Sequence, residues 1–183
     1  ADQISPDILC IAKGLGAGYQ PIGAMLCSEK IFTAIENGSG FFQHGHTYLG
    51  HPVATAAGLA VVQKILDQDL ANRSASQGAV LSEALHTKFE QHPNVGDIRG
   101  RGLFQGVELV SDRETKIPFD PAHNLAAKIK TAAFDVGLIC YPMPGTRDGS
   151  IGDHILLAPP FIITNNQIDE LITKLHLAIA RAL

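Results

Sequence analysis

The sequence feature that most constrains the fold is a short apolar run that ends in a lysine and a series of glycines. Residues 8–12 (I-L-C-I-A) follow Pro6-Asp7, and Lys13 is followed by glycine at positions 14, 16 and 18. An apolar run of this length, bounded by turn residues, is typical of a buried strand, and the glycines predict that it ends in a loop. Lys13 is therefore predicted to lie at a strand end, where a flat ligand can approach the backbone closely.

A lysine in this position can have a chemical role or none. Loss of water disfavours the ammonium form, and an uncharged amine can attack an aldehyde to form a Schiff base and later act as a general base. The alternative is a lysine that simply extends its ammonium group to water, and spacing alone favours that alternative. The glycines do not predict a dinucleotide loop, because they lack the G-x-G-x-x-G spacing.

A second candidate cluster occupies residues 44–52, H-G-H-T-Y-L-G-H-P. Pro52 suits the first turn of a helix, and the hydroxyl of Thr47 together with free amides at a helix start predicts a phosphate contact. A metal site is the alternative interpretation. The cluster contains no carboxylate, and its glycines and proline favour a loop, so we predict no metal bound by its three histidines, His44, His46 and His51.

Three arginines lie in glycine-containing segments that we interpret as loops, where a guanidinium suits a substrate carboxylate: Arg99, Arg101 and Arg147. Asp153-His154 is not predicted to be an acid/base pair, because neighbours on a strand point to opposite faces. The three cysteines are an odd number without a C-x-x-C pair, so we expect reduced and mostly buried thiols.

The order of predicted elements indicates a mixed α/β chain without internal repeats. Apolar runs bounded by turn residues predict strands over 8–12, 21–27, 103–110, 138–141 and 155–157, with a loop over 142–153. Helical spacing predicts helices over 28–37, 52–66, 75–92 and 122–134. It also predicts a closing helix that runs to the end of the chain, with Asn165 or Asn166 near its cap. A domain boundary is expected within 67–94.

Composition excludes several classes of protein. The chain has 14 Lys and Arg against 18 Asp and Glu, with 45% hydrophobic residues, so it is globular and lacks a basic nucleic-acid-binding surface. No apolar stretch reaches the roughly 18 residues of a membrane span, and no secretory signal is apparent, so we expect a cytoplasmic protein. Because the sequence opens at Ala1 inside an apolar pattern, we expect it to be part of something longer.

Residues 6–24, P-D-I-L-C-I-A-K-G-L-G-A-G-Y-Q-P-I-G-A, resemble the lysine signature of the class III (omega-type) pyridoxal-phosphate aminotransferases. Three later blocks agree with that family in order: H-T-Y-L-G-H-P at 46–52, R-G-R-G-L-F-Q-G-V-E-L at 99–109, and G-D-H-I-L-L-A-P-P-F-I-I at 152–163. The resemblance implies the C-terminal part of a fold-type I transferase. Residues 1–70 would end the large α/β cofactor domain, and 71–183 would form part of the helical connection and the small α/β domain.

The resemblance also implies roles for individual residues. Lys13 would hold pyridoxal 5′-phosphate as a Schiff base and move a proton between the substrate carbon and the cofactor. Thr47 would bind the cofactor phosphate in the partner subunit's site, which implies a homodimer with shared active sites. Arg147 lies where related enzymes keep a mobile arginine for the substrate carboxylate.

Departures from the family pattern limit these expectations. The phosphate loop, the aromatic residue that stacks on the ring and the aspartate that pairs with its nitrogen would all lie upstream of Ala1, so we expect this chain alone to be inactive. Leu156 and Leu157 stand where glutamate-using members carry an arginine, which favours an omega-amino acid or amine donor with pyruvate as acceptor. The alternatives are an aminomutase that uses the same cofactor, or a non-catalytic histidine-rich metal-binding or interaction module.

Overall fold

The computed structural model describes residues 4–183, and the chain divides into two compact units, Ala1–Gln68 and Asp69–Leu183. We refer to them as the first unit and the second unit. The assignment of residues 1–70 to a large cofactor domain and 71–183 to a small domain stays a prediction. Among the described residues, none of the helices is both long enough and apolar enough to cross a bilayer.

The first unit is built on a two-stranded antiparallel sheet. Strands β1 (Ile8–Ile11) and β2 (Ala24–Cys27) pair directly, with Ile8 opposite Cys27, and the chain between them contains a 3-10 turn at Lys13–Leu15. Helix α1 (Glu29–Asn37) follows and ends at Gly38, as predicted, and helix α2 (Pro52–Asp67) begins at the proline that was predicted to start it.

The strands of the first unit are exposed, which corrects the expectation of a buried strand over 8–12. Every residue of β1 and β2 is exposed, because neither face of the two-stranded sheet is covered by a packed layer within the described residues. The expectation of mostly buried thiols is wrong for the same reason. Cys10 and Cys27 on these strands are exposed, and Cys140 in the second unit is half-buried.

The second unit is a four-stranded antiparallel sheet packed against three helices. Its helices are α3 (Leu70–Phe89), α4 (Leu125–Asp135) and α5 (Asn165–Ala182), and its strands are β3 (Val95–Arg101), β4 (Phe104–Leu109), β5 (Tyr141–Arg147) and β6 (Ile151–Leu157). The strand order is β3-β4-β6-β5, so β3 and β5 form the edges.

One face of this sheet is buried under the helices. Val107, Leu109, Ile155 and Leu157 alternate along β4 and β6 and meet apolar side chains of the three helices, among them Leu81, Leu85, Phe89, Ile129, Leu175 and Ile179. The opposite face, which we call the open face, carries the intervening half-buried residues, including Gly106, Glu108, His154 and Leu156. The period-2 burial pattern is that of a sheet with one packed face.

The largest difference from the sequence prediction is the segment 142–153. It was predicted to be a proline- and glycine-rich loop, but most of it forms the β5–β6 hairpin. Pro142 and Pro144 misled the prediction, because proline is excluded from central strands but tolerated at a sheet edge, which is where β5 lies. Strand β3 was also missed, because its glycine at position 100 was interpreted as a bend.

Helix boundaries in the second unit also differ in detail. Helix α3 begins at Leu70, before the polar segment that was expected to precede it. Helix α4 begins at Leu125, because Pro121–His123 form a separate 3-10 turn and Asn124 has a positive φ of 49°. The cap of α5 is Thr164, which forms a capping box with Gln167, and Asn165 and Asn166 follow it directly, near the cap as predicted.

Candidate active site

Lys13 lies immediately beyond β1 in a backbone conformation that side chains rarely adopt. Its φ is 51°, and the turn it opens is closed by hydrogen bonds from the Leu15 amide to the Ala12 carbonyl and from the Gly16 amide to the Lys13 carbonyl. A left-handed conformation at a non-glycine residue costs about 1 kcal/mol or more, and such residues cluster at functional sites. The position of Lys13 at a strand end is as predicted.

The side chain of Lys13 is exposed, which corrects the expectation of an amine withdrawn from water. Within residues 4–183, its amine forms no hydrogen bond or ion pair. The physical reason is the same as for β1 and β2, since no layer of the described chain covers this end of the two-stranded sheet. The amine is therefore free to react with a ligand that approaches it.

Buried glycines allow the 3-10 turn at Lys13–Leu15, which we call the lysine turn, to pack closely against α2. Gly58 on α2 is buried, and a Cβ there would lie 3.0 Å from Ile22 Cδ1 and 3.8 Å from the Leu15 carbonyl oxygen. Gly16 is also buried, and a Cβ at that position would lie 2.6 Å from the Gln20 carbonyl oxygen. A side chain at either glycine would therefore displace the turn that places Lys13. The sequence analysis missed Gly58, because a glycine within a helical pattern gives no sign of what packs on it.

Thr47 is exposed and lies in a turn that precedes α2. The residue that caps α2 is His51, whose Nδ1 accepts a hydrogen bond of 3.4 Å from the Ala54 amide. Thr47 therefore lies in the loop just before the helix start and does not cap it, and its contact with a phosphate stays a prediction. The histidine cap also satisfies one of the amides that had been expected to be free.

The histidines of residues 44–52 are not arranged as metal ligands. The rings of His44 and His46 meet edge to face with centroids 5.0 Å apart, whereas His51 caps α2. In the described part of the chain, no group of three or more His, Cys, Asp or Glu side chains is placed to hold a metal ion.

Arg99 is not a free carboxylate ligand, and its assignment to a loop is wrong. It lies on β3, and its Nη1 is 2.6 Å from Glu108 Oε2 and 2.6 Å from Asp97 Oδ2. The hydrogen bond to Glu108, followed by that to Asp97, raises the pKa of the guanidinium. Its charge is already matched by these two carboxylates. Arg101, the second of the three arginines, also lies on β3.

Arg147 is the last residue of β5 and pairs with Ile151. Its side chain is exposed and has no hydrogen-bonding or ionic partner among residues 4–183. An exposed guanidinium that no carboxylate of the described residues occupies can bind a carboxylate ligand. Lys13 and Thr47 belong to the first unit and Arg147 to the second.

Asp153 and His154 diverge, as predicted for neighbours on a strand. Asp153 Oδ1 accepts a 3.2 Å hydrogen bond from the Ala126 amide near the start of α4, and burial raises the pKa of this carboxyl. His154 lies on the open face, where its Nδ1 and Thr146 Oγ1 share a 2.7 Å hydrogen bond. The sequence analysis missed this pair because it placed Thr146 in a loop.

Comparison with known proteins identifies the family to which the chain belongs. The profile of the family "Aminotransferase class-III" matches residues 1–179. An uncharacterized aminotransferase of Schizosaccharomyces pombe is 48% identical over 94% of this chain, which covers 38% of that protein. An amine transaminase from an uncultivated Pseudomonas species, solved with pyridoxal phosphate bound, is 40% identical, with a TM-score of 0.86, and 98% of this chain covers 39% of it.

A transaminase from the marine bacterium Virgibacillus is similar in structure, with a TM-score of 0.91 at 33% identity, and 98% of this chain covers 40% of that chain. The chain thus spans about 38% of the length of the Schizosaccharomyces pombe relative, and its mixed α/β structure corresponds to the C-terminal part of fold-type I transaminases. Class III aminotransferases depend on pyridoxal phosphate. The match over nearly the whole chain, together with the lysine turn, shows that this chain belongs to the class-III aminotransferase family.

Proposed function

We propose that the protein containing this chain transfers an amino group from an omega-amino acid or amine to a keto acid such as pyruvate, with pyridoxal phosphate bound to Lys13 as a Schiff base. The observation that carries the proposal is the left-handed backbone of Lys13, directly after β1 and inside the family's lysine motif. Because the chain spans well under two thirds of its relatives, the activity is proposed for the product of the complete gene.

The residues present fit the cofactor in chemical terms. The amine of Lys13 is exposed and unpaired within the described residues, as attack on an aldehyde requires. Beside it, a Cβ built on Gly14 would meet no described atom within 4 Å apart from its chain neighbours, which leaves room for a flat ring at the lysine turn. The exposed hydroxyl of Thr47 can donate a hydrogen bond to a phosphate oxygen.

Each residue has a distinct role in this proposal. Pyridoxal phosphate supplies an electron sink when bound. Lys13 Nζ would hold the cofactor at its aldehyde carbon, and the same amine would accept the proton that leaves the substrate carbon. Thr47 Oγ1 donates to the phosphate of the partner subunit's cofactor, so the proposal includes a homodimer. Arg147 binds the substrate carboxylate. The proposal also keeps the expectation of a cytoplasmic location.

The strand that precedes Ala158 supports a donor without a second fixed carboxylate. Leu157 is buried in the core, so its side chain cannot meet a substrate. Leu156 lies on the open face and is half-buried, but it offers no charge to a carboxylate. An omega-amino acid or amine donor is therefore favoured over a dicarboxylic amino acid.

Borohydride trapping tests the lysine assignment. The product of the complete gene is incubated with pyridoxal phosphate, reduced with borohydride and mapped by peptide analysis, and we expect the label on Lys13. Lys13→Ala should lose the label and lower turnover by roughly 10²-fold to 10⁴-fold or more, because the amine that moves the proton is gone. Lys64→Ala, on the exposed surface of α2, is the matched control and should keep both.

Four outcomes would contradict parts of the proposal or the expectations behind it. A label on another lysine, or near-normal turnover of Lys13→Ala, rejects the assigned role of Lys13. Product formation without consumption of a keto acid would favour the aminomutase alternative. Turnover by the 183-residue chain alone would contradict the expectation that it is inactive without the upstream part of the site.

A further inference from the structure

The β5–β6 hairpin contains a bulge one residue before Arg147. The strands pair regularly from Tyr141 opposite Leu156 to Pro144 opposite Asp153, but the next pair is Arg147 opposite Ile151. Two residues of β5, Gly145 and Thr146, therefore lie opposite the single residue Gly152. A bulge of this kind inserts one residue into one strand and turns the side chains that follow to the other face.

The bulge determines the face on which Arg147 stands. Were the regular register continued, Arg147 would lie opposite Ser150 and would share the open face with Met143 and His154. In the observed register it pairs with Ile151, which alternation places on the face of Asp153 and Ile155. A cavity of about 360 Å³ on the open face is accordingly lined by Thr146, His154 and Leu156 but not by Arg147.

Two features stabilise the bulged register. Gly145 has a φ of 80°, and a Cβ there would lie 2.8 Å from the Gly149 carbonyl oxygen, so the bulge needs glycine at this position. The second feature is the hydrogen bond of 2.7 Å between Thr146 Oγ1 and His154 Nδ1. In the regular register Thr146 would lie opposite Ile151, on the face of Asp153, so its hydroxyl reaches His154 on the open face only in the bulged register.

We propose that Thr146 and His154 are positioning residues for Arg147, because their hydrogen bond fixes the bulged register that directs its guanidinium. The inference rests on the proposed function, in which Arg147 binds the substrate carboxylate. Loss of the bond removes the side-chain contact that distinguishes the bulged register from the regular one. The side chain of Arg147 then populates both faces of the sheet. The affinity of the protein for a substrate carboxylate falls, while the rate of the chemical step is unchanged.

Kinetics of the complete gene product with two acceptors test this inference. Thr146→Val should raise KM for pyruvate about 5-fold, the effect of losing one hydrogen bond, with kcat nearly unchanged. KM for butanal, an acceptor without a carboxylate, should not change. Thr146→Ser keeps the hydroxyl and should restore the KM for pyruvate. Thr173→Val is the matched control, since it removes a threonine hydroxyl from the exposed surface of α5, where it bonds only the Asp169 carbonyl.

Substitution of His154, the residue that bonds Thr146, allows a double-mutant cycle. His154→Asn keeps a polar atom near the position of Nδ1 and should resemble the unmodified protein, whereas His154→Phe should resemble Thr146→Val. The variant carrying both Thr146→Val and His154→Phe should be no worse than either alone, because both remove the same bond. Equal changes in KM for pyruvate and butanal, no change in either, or additive effects of the two substitutions would each overturn the inference.

Hydrogen exchange gives a readout that is independent of activity. Amides of residues 145–151 should exchange about 5-fold faster in Thr146→Val than in Thr146→Ser or Thr173→Val. Unchanged exchange overturns the inference even if no transaminase activity is found. Absence of a borohydride label on Lys13 instead rejects the proposed function, so the two failures are distinguishable. If Arg147→Ala leaves KM for pyruvate unchanged, Arg147 does not bind the carboxylate and the inference also fails.

Discussion

The two units of the chain use similar apolar sequence but bury it to very different extents. All four residues of β1 and of β2 are exposed, with Ile8 at 55% and Met25 at 49%. In the second unit, Leu81, Leu85 and Phe89 of α3 are each 0% exposed. Apolar runs of the same kind thus form correctly paired strands in the first unit without forming a core there.

This difference shows that local structure and burial are separate consequences of an apolar pattern. Backbone pairing of β1 with β2 and the hydrogen bonds that close the turn at Lys13 depend on contacts close along the chain. Burial depends on a second layer, which α3, α4 and α5 supply to the four-stranded sheet. The residue proposed to react with the cofactor therefore lies in the less packed unit, and the second unit forms a core of its own.

Glycine substitutions should give the largest difference between the two units in the change of stability. A Cβ at Gly78 of α3 would lie 2.2 Å from the Gly102 carbonyl carbon, and backbone cannot move aside cheaply. Gly78→Ala should therefore destabilise the second unit by about 3 kcal/mol or more. Gly45→Ala in the first unit, where a Cβ would meet no described atom within 4 Å apart from its chain neighbours, is the control and should change stability by less than about 0.5 kcal/mol. Urea unfolding followed by amide NMR signals measures each unit, and a small effect of Gly78→Ala would contradict the close packing of α3 on the β3–β4 turn.

Leucine truncations test burial directly. Leu85 on α3 is 0% exposed and Leu59 on α2 is 70% exposed. Leu85→Ala should cost about 2 to 5 kcal/mol of unfolding free energy, because it leaves a cavity in a packed core. Leu59→Ala should cost less than about 0.5 kcal/mol in the 183-residue chain. If Leu59→Ala is costly in the complete gene product but not in this chain, residues outside the chain cover α2.

Thiol reactivity gives a chemical measure of the same contrast. Burial raises the pKa of the Cys140 thiol to about 11 from 9.0, so its thiolate fraction at pH 8 is about 100-fold lower than that of an unperturbed thiol. Cys10 and Cys27 are exposed. An aromatic disulfide reagent should therefore modify two thiols quickly and the third about 100-fold more slowly. Cys140→Ser should remove only the slow phase, and fast modification of all three thiols would contradict the burial of Cys140.

Sequence patterns predicted those features that depend on neighbouring residues. The strand before Lys13, the helix stop at Gly38 and the helix start at Pro52 were all predicted, because each depends on a local apolar run or on the backbone preference of one residue. Features that depend on distant parts of the chain were not. Pro144 is acceptable only because β5 is an edge strand, and the bond between Thr146 and His154 exists only in the folded hairpin.

The candidate site likewise contains some features that local sequence predicts and others that it does not. The motif around Lys13 identifies the lysine and its strand end, but exposure of its side chain depends on what packs against β1 and β2, which local spacing does not report. The sequence predicted Arg99 as a candidate carboxylate ligand, but the register of β3 and β4 places Glu108 beside it. This contact joins residues on different strands.

The smallest expected effect is a pH dependence confined to the second unit. His92 follows α3, and its Nδ1 accepts a hydrogen bond from the Asn94 amide. Burial, and then the nearby His176, lower the pKa of His92 below its usual 6.5. The unfolded chain therefore binds a proton more readily than the folded one. The stability of the second unit should be fully present above about pH 6.5 and should decline as the pH falls through the lower folded-state pKa of His92.

The decline should be smaller than the effect of Leu85→Ala, because His92 is only half-buried. Urea unfolding of the second unit between pH 7.5 and pH 5 measures it. His92→Asn keeps an acceptor near the position of Nδ1 but cannot titrate, so it should flatten this part of the profile. His44→Asn, at an exposed position of the first unit, should leave the profile unchanged. A stability of the second unit that rises toward pH 5, or a decline that persists in His92→Asn, would show that protonation of His92 is not what weakens the packing of α3 and α5.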